Sequence, residues 1–497
     1  MDSLDAFIQQ LPQIVPESWC FDCRICCRFP DSEKAQTPVW SGREAAWVNE
    51  SAHRLPTPLK LKPVPGLPVF TPQLNPCSHS GGFHCSAFEE SSKKCLIHSI
   101  KPLDCRLYPF VMTRHPSGSE PLLAIDMKCP YIQASMKEPA MAAYIHTLIN
   151  YLEQTVAADY FSSNPAVVGD WWPEYLPVAW IQSASSALPL PAVSVPEGLQ
   201  PVLNSDLPLI RKAEADSAEN HLSGGTVDAW IPWTDLISLY WMKKPDGLFV
   251  FARQAGGFFM PFPPLAETLS PPILNEAWVQ LNRLNSGNAV SRIEGVSEQQ
   301  KSLFEKAGFS LRASESDYCY LRSDLADLSG DRYHSHRGMI NQASKMIGEY
   351  RFRPLTPGDF NSCAELYWRW AADSYLKHPE QDETHRMIRD SFFFHQRLLK
   401  APTAEDWVAY GLEADGKLLG YTIGRPLSDE LFCIYTEMTD RTIPGLSALI
   451  FREFCRTQNQ FTWINTMGDS GLEGLKQSKE SYHPARMIPC WTAYKKF

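Results

Sequence analysis

Four thiols within eight consecutive residues, Cys20-Phe-Asp-Cys23-Arg-Ile-Cys26-Cys27, constrain this chain more than any other stretch. Sulfur at that density holds a soft metal, zinc or iron–sulfur, or pairs as disulfides. The compartment decides between them. Met1 to Gln13 carries two acids and no base, the wrong n-region for export, and no run of 18 apolar residues is long enough to span a membrane. A reducing cytoplasm is therefore expected, where clustered cysteines serve as metal ligands more often than as disulfides.

Nine of the 14 cysteines precede residue 130: Cys20, Cys23, Cys26, Cys27, Cys77, Cys85, Cys95, Cys105 and Cys129. A CxxC turn aims two sulfurs at one point, so Cys20 with Cys23, or Cys23 with Cys26, can chelate. Adjacent Cys26 and Cys27 do not easily reach one ion from an extended backbone, so one of them faces a second metal or the core. The second group runs Cys85-x9-Cys95-x9-Cys105 and continues into Arg106-Leu-Tyr108-Pro109.

This pattern resembles the CxxCxxCC (YkgJ-type) cysteine-cluster family, whose domains are candidate zinc or iron chelators. The resemblance covers about the first 130 residues. It rests on Cys20, Cys23, Cys26, Cys27, Cys85, Cys95, Cys105, Arg106, Tyr108 and Pro109, with Cys129 as a further match. A long proline-rich spacer over about residues 30–76 departs from the family pattern. The resemblance implies a metal held by those eight cysteines. Zinc and a [4Fe–4S] cluster each take four thiolates. Eight thus suffice for a cluster plus a zinc, or for one site with spectators. His79, His84 and His98 lie among the later cysteines as secondary ligand candidates.

Hydrophobic content of 44% and charged content of 21% describe an ordinary soluble globular protein, and the length fits about three domains. The net charge of −10 supplies no global field for nucleic acid. From Arg441 onward, eight Lys/Arg against four Asp/Glu leave a local +4. Apolar spacing at Met141, Tyr144, Ile145, Leu148 and Leu152 predicts a helix from Met136 to Tyr160. Repeated prolines then predict an extended, partly packed linker over about 165–215. The expected organisation is a cysteine-cluster domain at 1–135, a connector at 136–215 and a larger α+β half.

In that half, Leu248–Phe262 reads as two strands joined at Ala255-Gly-Gly257. Residues 274–285 and 298–307 read as helices, and Tyr318–Leu321 as a short strand. Ser329-Gly330-Asp-Arg332-Tyr333-His334-Ser-His336-Arg337 opens a helix running to about Ile347. Arg and His beside a helix start can hold a phosphate or carboxylate, or simply form a solvated face. Thr356 is an N-cap candidate for a helix to Trp370. A second helix covers His385–Leu399. Strands Trp407–Leu412, Lys417–Ile423 and Cys433–Glu437 follow, then a helix Ile443–Thr457 and a strand Phe461–Asn465. This order resembles a GNAT-type acyltransferase fold.

Three separated motifs carry a second resemblance: Ser329-Gly330…Tyr333-His334…Arg337, Arg353-Pro-Leu-Thr356, and Asn465-Thr-Met-Gly468-Asp469-Ser-Gly471…Lys476…Lys479-Glu-Ser481-Tyr482-His483-Pro484. Together they look like the family similar to the C-terminal region of phosphatidylglycerol lysyltransferases. The resemblance implies two tandem GNAT-like units, 216–350 and 351–497, around a shared groove. It also implies transfer of an acyl or aminoacyl group, in the relatives from aminoacyl-tRNA.

Such a transfer needs an oriented amine, a proton acceptor and oxyanion stabilisation. Asp469 is the candidate for orienting or deprotonating the amine; its alternative is an N-cap of the following helix. Tyr482 and His483 are candidate proton donors. Tyr333, His334 and Arg337 are candidates for binding substrate or donor. Lys476 and Lys479, three apart on one helix face, are placed with Arg486 to neutralise phosphates of a tRNA end or of CoA. Acetyl-CoA enzymes of the GNAT type carry a Gln/Arg-x-x-Gly-x-Gly/Ala loop. The nearest stretch here, Arg441-Thr-Ile-Pro-Gly445-Leu-Ser447, is one residue too long and lacks the second glycine. That favours aminoacyl-tRNA, the acidic net charge pulls the other way, and both donors stay open. A protein, peptide or small-molecule amine is the expected acceptor.

Two other classes compete with a soluble acyl- or aminoacyltransferase. One is a metal-sensing or redox-regulated binding protein whose transferase-like half lacks catalysis. The other is an iron–sulfur enzyme using that half as a substrate platform.

Overall fold

In the cysteine-rich end the backbone turns every few residues, because prolines and glycines interrupt each run. The computed structural model describes residues 3–23, 25–29, 36–52, 59–78, 82–114, 120–187, 195–217, 221–254, 256–286, 290–379, 382–400 and 406–495. It divides into two compact units, Met1–Ala192 with Ala371–Phe392, and Val193–Trp370 with Phe393–Phe497.

In the first unit, strand Arg28–Phe29 pairs antiparallel with Phe83–Cys85, which also pairs with Leu74–Pro76. Phe88–Glu89 and Lys94–Cys95 form a small hairpin. A sturdier sheet has the order Gly169–Asp170, Phe110–Arg114, Pro121–Asp126, Tyr175–Trp180. Its inner strand Pro121–Asp126 is buried along its whole length. That explains the unbroken apolar run Leu122-Leu-Ala-Ile125, since a strand covered on both faces has no reason to alternate.

Two expectations change here. The helix expected over Met136–Tyr160 is two helices, Pro139–Leu152 and Thr155–Ser163. Between them Glu153 turns out to accept hydrogen bonds from the backbone N–H groups of Gln182 (2.7 Å) and Ser183 (3.0 Å). The stretch read as an extended linker contains strand Tyr175–Trp180, a 3-10 turn at Gln182–Ala187 and helix Leu207–Ala215. Pro177 hides that strand in sequence. It is tolerated because it faces Ala124 where the register shifts.

In the second unit, Gln200–Pro201, Ser238–Lys244, Gly247–Gln254 and Gly257–Phe259 form one antiparallel sheet. A seven-stranded sheet has the order Arg351–Pro354, Val408–Ala414, Lys417–Pro426, Leu431–Thr439, Trp463–Asn465, Asp317–Leu321, Arg486–Ile488. Leu431–Thr439 and Trp463–Asn465 are its parallel pair, connected through helix Leu446–Thr457. Phe432, Phe454, Phe461 and Ile464 are buried together beneath that helix. Each contributes on the order of 1.5–3 kcal/mol through burial. Asp317–Leu321 lies inside the large sheet, and Cys490–Tyr494 pairs with Ile293–Ser297 and Ser310–Ala313.

Gly445, just before helix Leu446–Thr457, has φ +81° and presses on the helix His334–Ile347: a Cβ there would stand 2.1 Å from the Met339 carbonyl oxygen. Left-handed backbone alone costs an alanine about 1–2 kcal/mol, and the clash adds to it. Gly445→Ala should therefore lower stability by at least about 2 kcal/mol in urea unfolding; an unchanged midpoint would show that the two helices part easily.

Candidate functional site

The thiols are gathered by local structure. Helix Glu17–Cys23 carries Cys20 and Cys23. Trp19 packs edge-on against Tyr131 with ring centres 5.5 Å apart, seating this helix beside Pro130–Ser135, whose N-cap is Cys129. The Cys85 N–H donates to the Cys27 carbonyl at 3.0 Å. Cys105 sits on helix Leu103–Leu107. A cavity of about 800 Å³ is lined by Cys20, Cys26, Cys27, Cys77, Cys85, Cys95 and Cys105, facing Tyr108, Trp172 and Tyr175. Cys26 is exposed on this cavity, while Cys85 and Cys129 are buried.

Among the described residues no three His, Cys, Asp or Glu side chains already form a closed metal-binding group. The thiols of Cys26, Cys27 and Cys95 instead act on one another. Cys27 brings the Cys95 thiol down to about 7, against burial and with help from the Lys101 ammonium. Burial pushes Cys85 up to about 12. Several soft donors around one space, with a cation beside them, fit a thiophilic metal. The histidines are otherwise engaged. His84 Nδ1 lies 3.0 Å from the Cys85 carbonyl and its Nε2 is 3.8 Å from Glu90; His98 Nδ1 is 3.6 Å from Glu17. His79 lies outside the described residues.

In the second unit the parallel pair makes a fork. Leu431–Thr439 and Trp463–Asn465 pair only through Leu431, Phe432 and Cys433, and part beyond Cys433 and Asn465. A register shift between Ile423 and Gly424 gives Leu431–Thr439 an extra residue at Tyr435. At the crotch Asn465 Nδ2 donates to Asp317 (2.9 Å), which also accepts from the Ser223 N–H (2.7 Å) and hydroxyl (3.0 Å). The arm after Asn465 is closed by Lys479, whose ammonium donates to the carbonyls of Thr466, Met467 and Gly468. Burial brings the Lys479 ammonium below its usual range. Asp469 follows, accepting from the Tyr318 hydroxyl (2.7 Å) and the Gly471 N–H (3.0 Å). The Tyr318 bond holds the Asp469 carboxyl below the usual range. Helix Glu473–Ser481 has Leu472 as its N-cap, so Asp469 closes the turn that leads to it.

The other candidates fall into two groups. Tyr482, Tyr333 and Arg337 are tied into the fold. The Tyr482 ring lies tilted against His336 with centroids 4.0 Å apart and meets Phe451 edge-on at 4.9 Å. The buried Tyr333 donates to the Tyr482 carbonyl (3.2 Å), and Arg337 donates to the carbonyls of Leu328 (2.6 Å) and Gly330 (2.7 Å). His334, Lys476, His483 and Arg486 are exposed; Arg486 lies over the Trp463 ring at 4.3 Å.

Sequence reasoning missed Glu437. It lies on the parted arm of Leu431–Thr439, half-buried, with Tyr482 and Cys455 as electrostatic neighbours. Burial pushes its carboxyl up to about 8. The signal was one acid inside the apolar strand Leu431-Phe-Cys-Ile-Tyr-Thr-Glu-Met438, a cost that a stability-only strand avoids.

A mixed sheet forked around a buried polar crotch, accompanied by a separate thiol-lined unit, defines a two-part protein. Residues 223–494, more than half of the chain, match the family model described as phosphatidylglycerol lysyltransferase, C-terminal. The chain belongs to that family. Residues 19–130 match a second model, that of a candidate zinc- or iron-chelating domain with the CxxCxxCC signature. No curated protein matches the chain at a significant level. A crystal structure of a conserved protein of unknown function from Bacteroides thetaiotaomicron VPI-5482 is similar at 23% identity and a TM-score of 0.53, over 60% of this chain and 99% of that one. The structure of L-PGS from Bacillus licheniformis is similar at 13% identity and a TM-score of 0.42, over 58% of this chain and 91% of that one. Among the described residues no helix is long and apolar enough to cross a membrane.

Tyr318→Phe removes the largest influence on Asp469. The Asp469 titration, followed by carboxyl NMR, should move up toward the ordinary carboxyl range; an unmoved titration would assign its low value to the Gly471 turn instead.

Proposed function

We propose that this protein transfers an acyl or aminoacyl group to an amine, with the fork of Leu431–Thr439 and Trp463–Asn465 as the reaction site and the cysteine domain as a metal-bearing accessory. The family match over residues 223–494 carries this reading. Two tandem GNAT-like units are the architecture that goes with it.

Glu437 and Asp469 take different parts because burial and hydrogen bonding push their carboxyls in opposite directions. Asp469, held as a carboxylate, orients the incoming amine. The amine nitrogen forms a C–N bond to the donor's acyl carbon and passes a proton to Glu437, which is tuned near the working pH for that task. The C–O bond to the donor breaks, and the proton returns to the leaving oxygen. His483 is the exposed proton-carrying group after helix Glu473–Ser481, while Tyr482, Tyr333 and Arg337 position the elements they are packed into. Lys479 spends its donors on the loop that presents Asp469. That leaves the exposed Lys476 and Arg486, with His334, to meet donor phosphates.

Aminoacyl-tRNA is favoured over acyl-CoA by the start of helix Leu446–Thr457. There the Asp440 carboxylate accepts from the Thr442 N–H (3.0 Å) and hydroxyl (2.6 Å), and Gly445 lies against Met339. The same turn lacks the spacing and the second glycine of a pyrophosphate-cradling loop. The acceptor is a protein, peptide or small-molecule amine in a cytoplasmic setting.

Full-length protein should discharge one aminoacyl-tRNA in the presence of an amine and leave acyl-CoAs intact. Consumption of neither donor would remove the transferase reading. With Glu437 as base, kcat/KM should rise as pH increases through about 8, because only the ionised carboxylate accepts the proton. Glu437→Gln should cost about 10²–10⁴-fold and abolish that limb. Asp469→Asn should lower turnover by about 10²-fold without changing metal content; full turnover in this variant would take Asp469 out of the site.

A further inference from the structure

We propose that the eight cysteines of the N-terminal domain form two separate four-sulfur centres: an inner one of Cys27, Cys85, Cys95 and Cys105, and an outer one of Cys20, Cys23, Cys26 and Cys129. The division follows from packing. Cys85 belongs to a buried cluster with Phe29, Trp40, Val48, Phe88 and Ile97, and Cys27, Cys95 and Cys105 pack against that same cluster. The Ala87 N–H donates to the Cys85 sulfur at 3.4 Å. N–H groups aimed at sulfur are what a thiolate ligand needs in a dry surrounding.

None of the outer four belongs to this cluster. Cys20 and Cys23 share helix Glu17–Cys23, and the Trp19–Tyr131 contact at 5.5 Å brings that helix beside the one capped by Cys129. Cys26 follows on the next turn and is exposed, and Cys20 and Cys23 are half-buried. The adjacent pair Cys26 and Cys27 then serves one centre each, and the two sets abut at the peptide that joins them. Each set has the four sulfurs that a tetrahedral zinc or a cubane cluster takes. Cys77 lines the cavity but falls in neither set.

Each set has one buried cysteine, Cys85 in the inner and Cys129 in the outer, and the four inner cysteines line the cavity of about 800 Å³ together with Cys20 and Cys26. Thiols of both sets release their protons to solvent as the metal binds.

The test uses metal count and thiol protection, so it is independent of the transferase reading. Full-length protein, purified anaerobically and loaded with zinc or with ferrous iron and sulfide, should hold two centres per chain. Stepwise chelation with iodoacetamide present should label the thiols in two groups of four, Cys20 with Cys23, Cys26 and Cys129, and Cys27 with Cys85, Cys95 and Cys105. Cys129→Ser should halve the metal and leave the Cys27, Cys85, Cys95 and Cys105 group protected while its metal is bound. One centre or none per chain, loss of all metal in Cys129→Ser, or eight thiols reacting together would overturn the proposal. The labelling is done on the unmutated chain, so a variant that fails to fold does not decide it.

Discussion

Asn465 stands where two parallel strands part, and the large unit depends on how that point is satisfied. Its amide donates to Asp317 while its carbonyl oxygen accepts from the Met467 N–H at 2.7 Å. Asp317 in turn gathers the Ser223 N–H and hydroxyl. A buried carboxylate is costly unless its oxygens are matched, and here three donors match it. This arrangement ties residues 223, 317 and 465, distant in sequence, at the crotch of the fork. The Lys479 ammonium then holds the departing arm by its carbonyls. Asp469 is presented to solvent because the chain behind it is fixed.

The cysteine-rich unit solves a different problem with the same economy of contacts. Its strands are two or three residues long around the thiols. Such pairings bring little stability by themselves. Sulfur supplies what they lack. Thiols pack there as small hydrophobes, and a bound metal would take the same residues as its ligands.

Much of this was legible in the sequence because the signals were local. Thiol spacing marks the cysteine unit, Thr356 as an N-cap candidate marks the start of helix Phe360–Lys377, apolar periodicity finds helix Pro271–Leu284, and the Arg- and His-rich motif marks the start of His334–Ile347. The losses were non-local. Tyr175–Trp180 looked like linker because its pairing partner lies some fifty residues earlier, at Pro121–Asp126. Strand Asp317–Leu321 could be found, but not its place between Trp463–Asn465 and Arg486–Ile488. Glu437 was passed over because an acid in an apolar strand gains meaning only when the neighbouring strand diverges.

By itself, then, the sequence determined that a thiol-rich unit precedes a mixed helix-and-sheet unit, and that the motif around Asp469 ends in a helix. Ligand spacing, caps and periodicity are properties of a few adjacent residues. Tertiary structure alone decided which cysteines share a dry cluster, which tyrosines are consumed by the core, and which carboxyl meets the forked arm. Those outcomes depend on desolvation and on pairing between segments far apart in the chain, which no local pattern encodes.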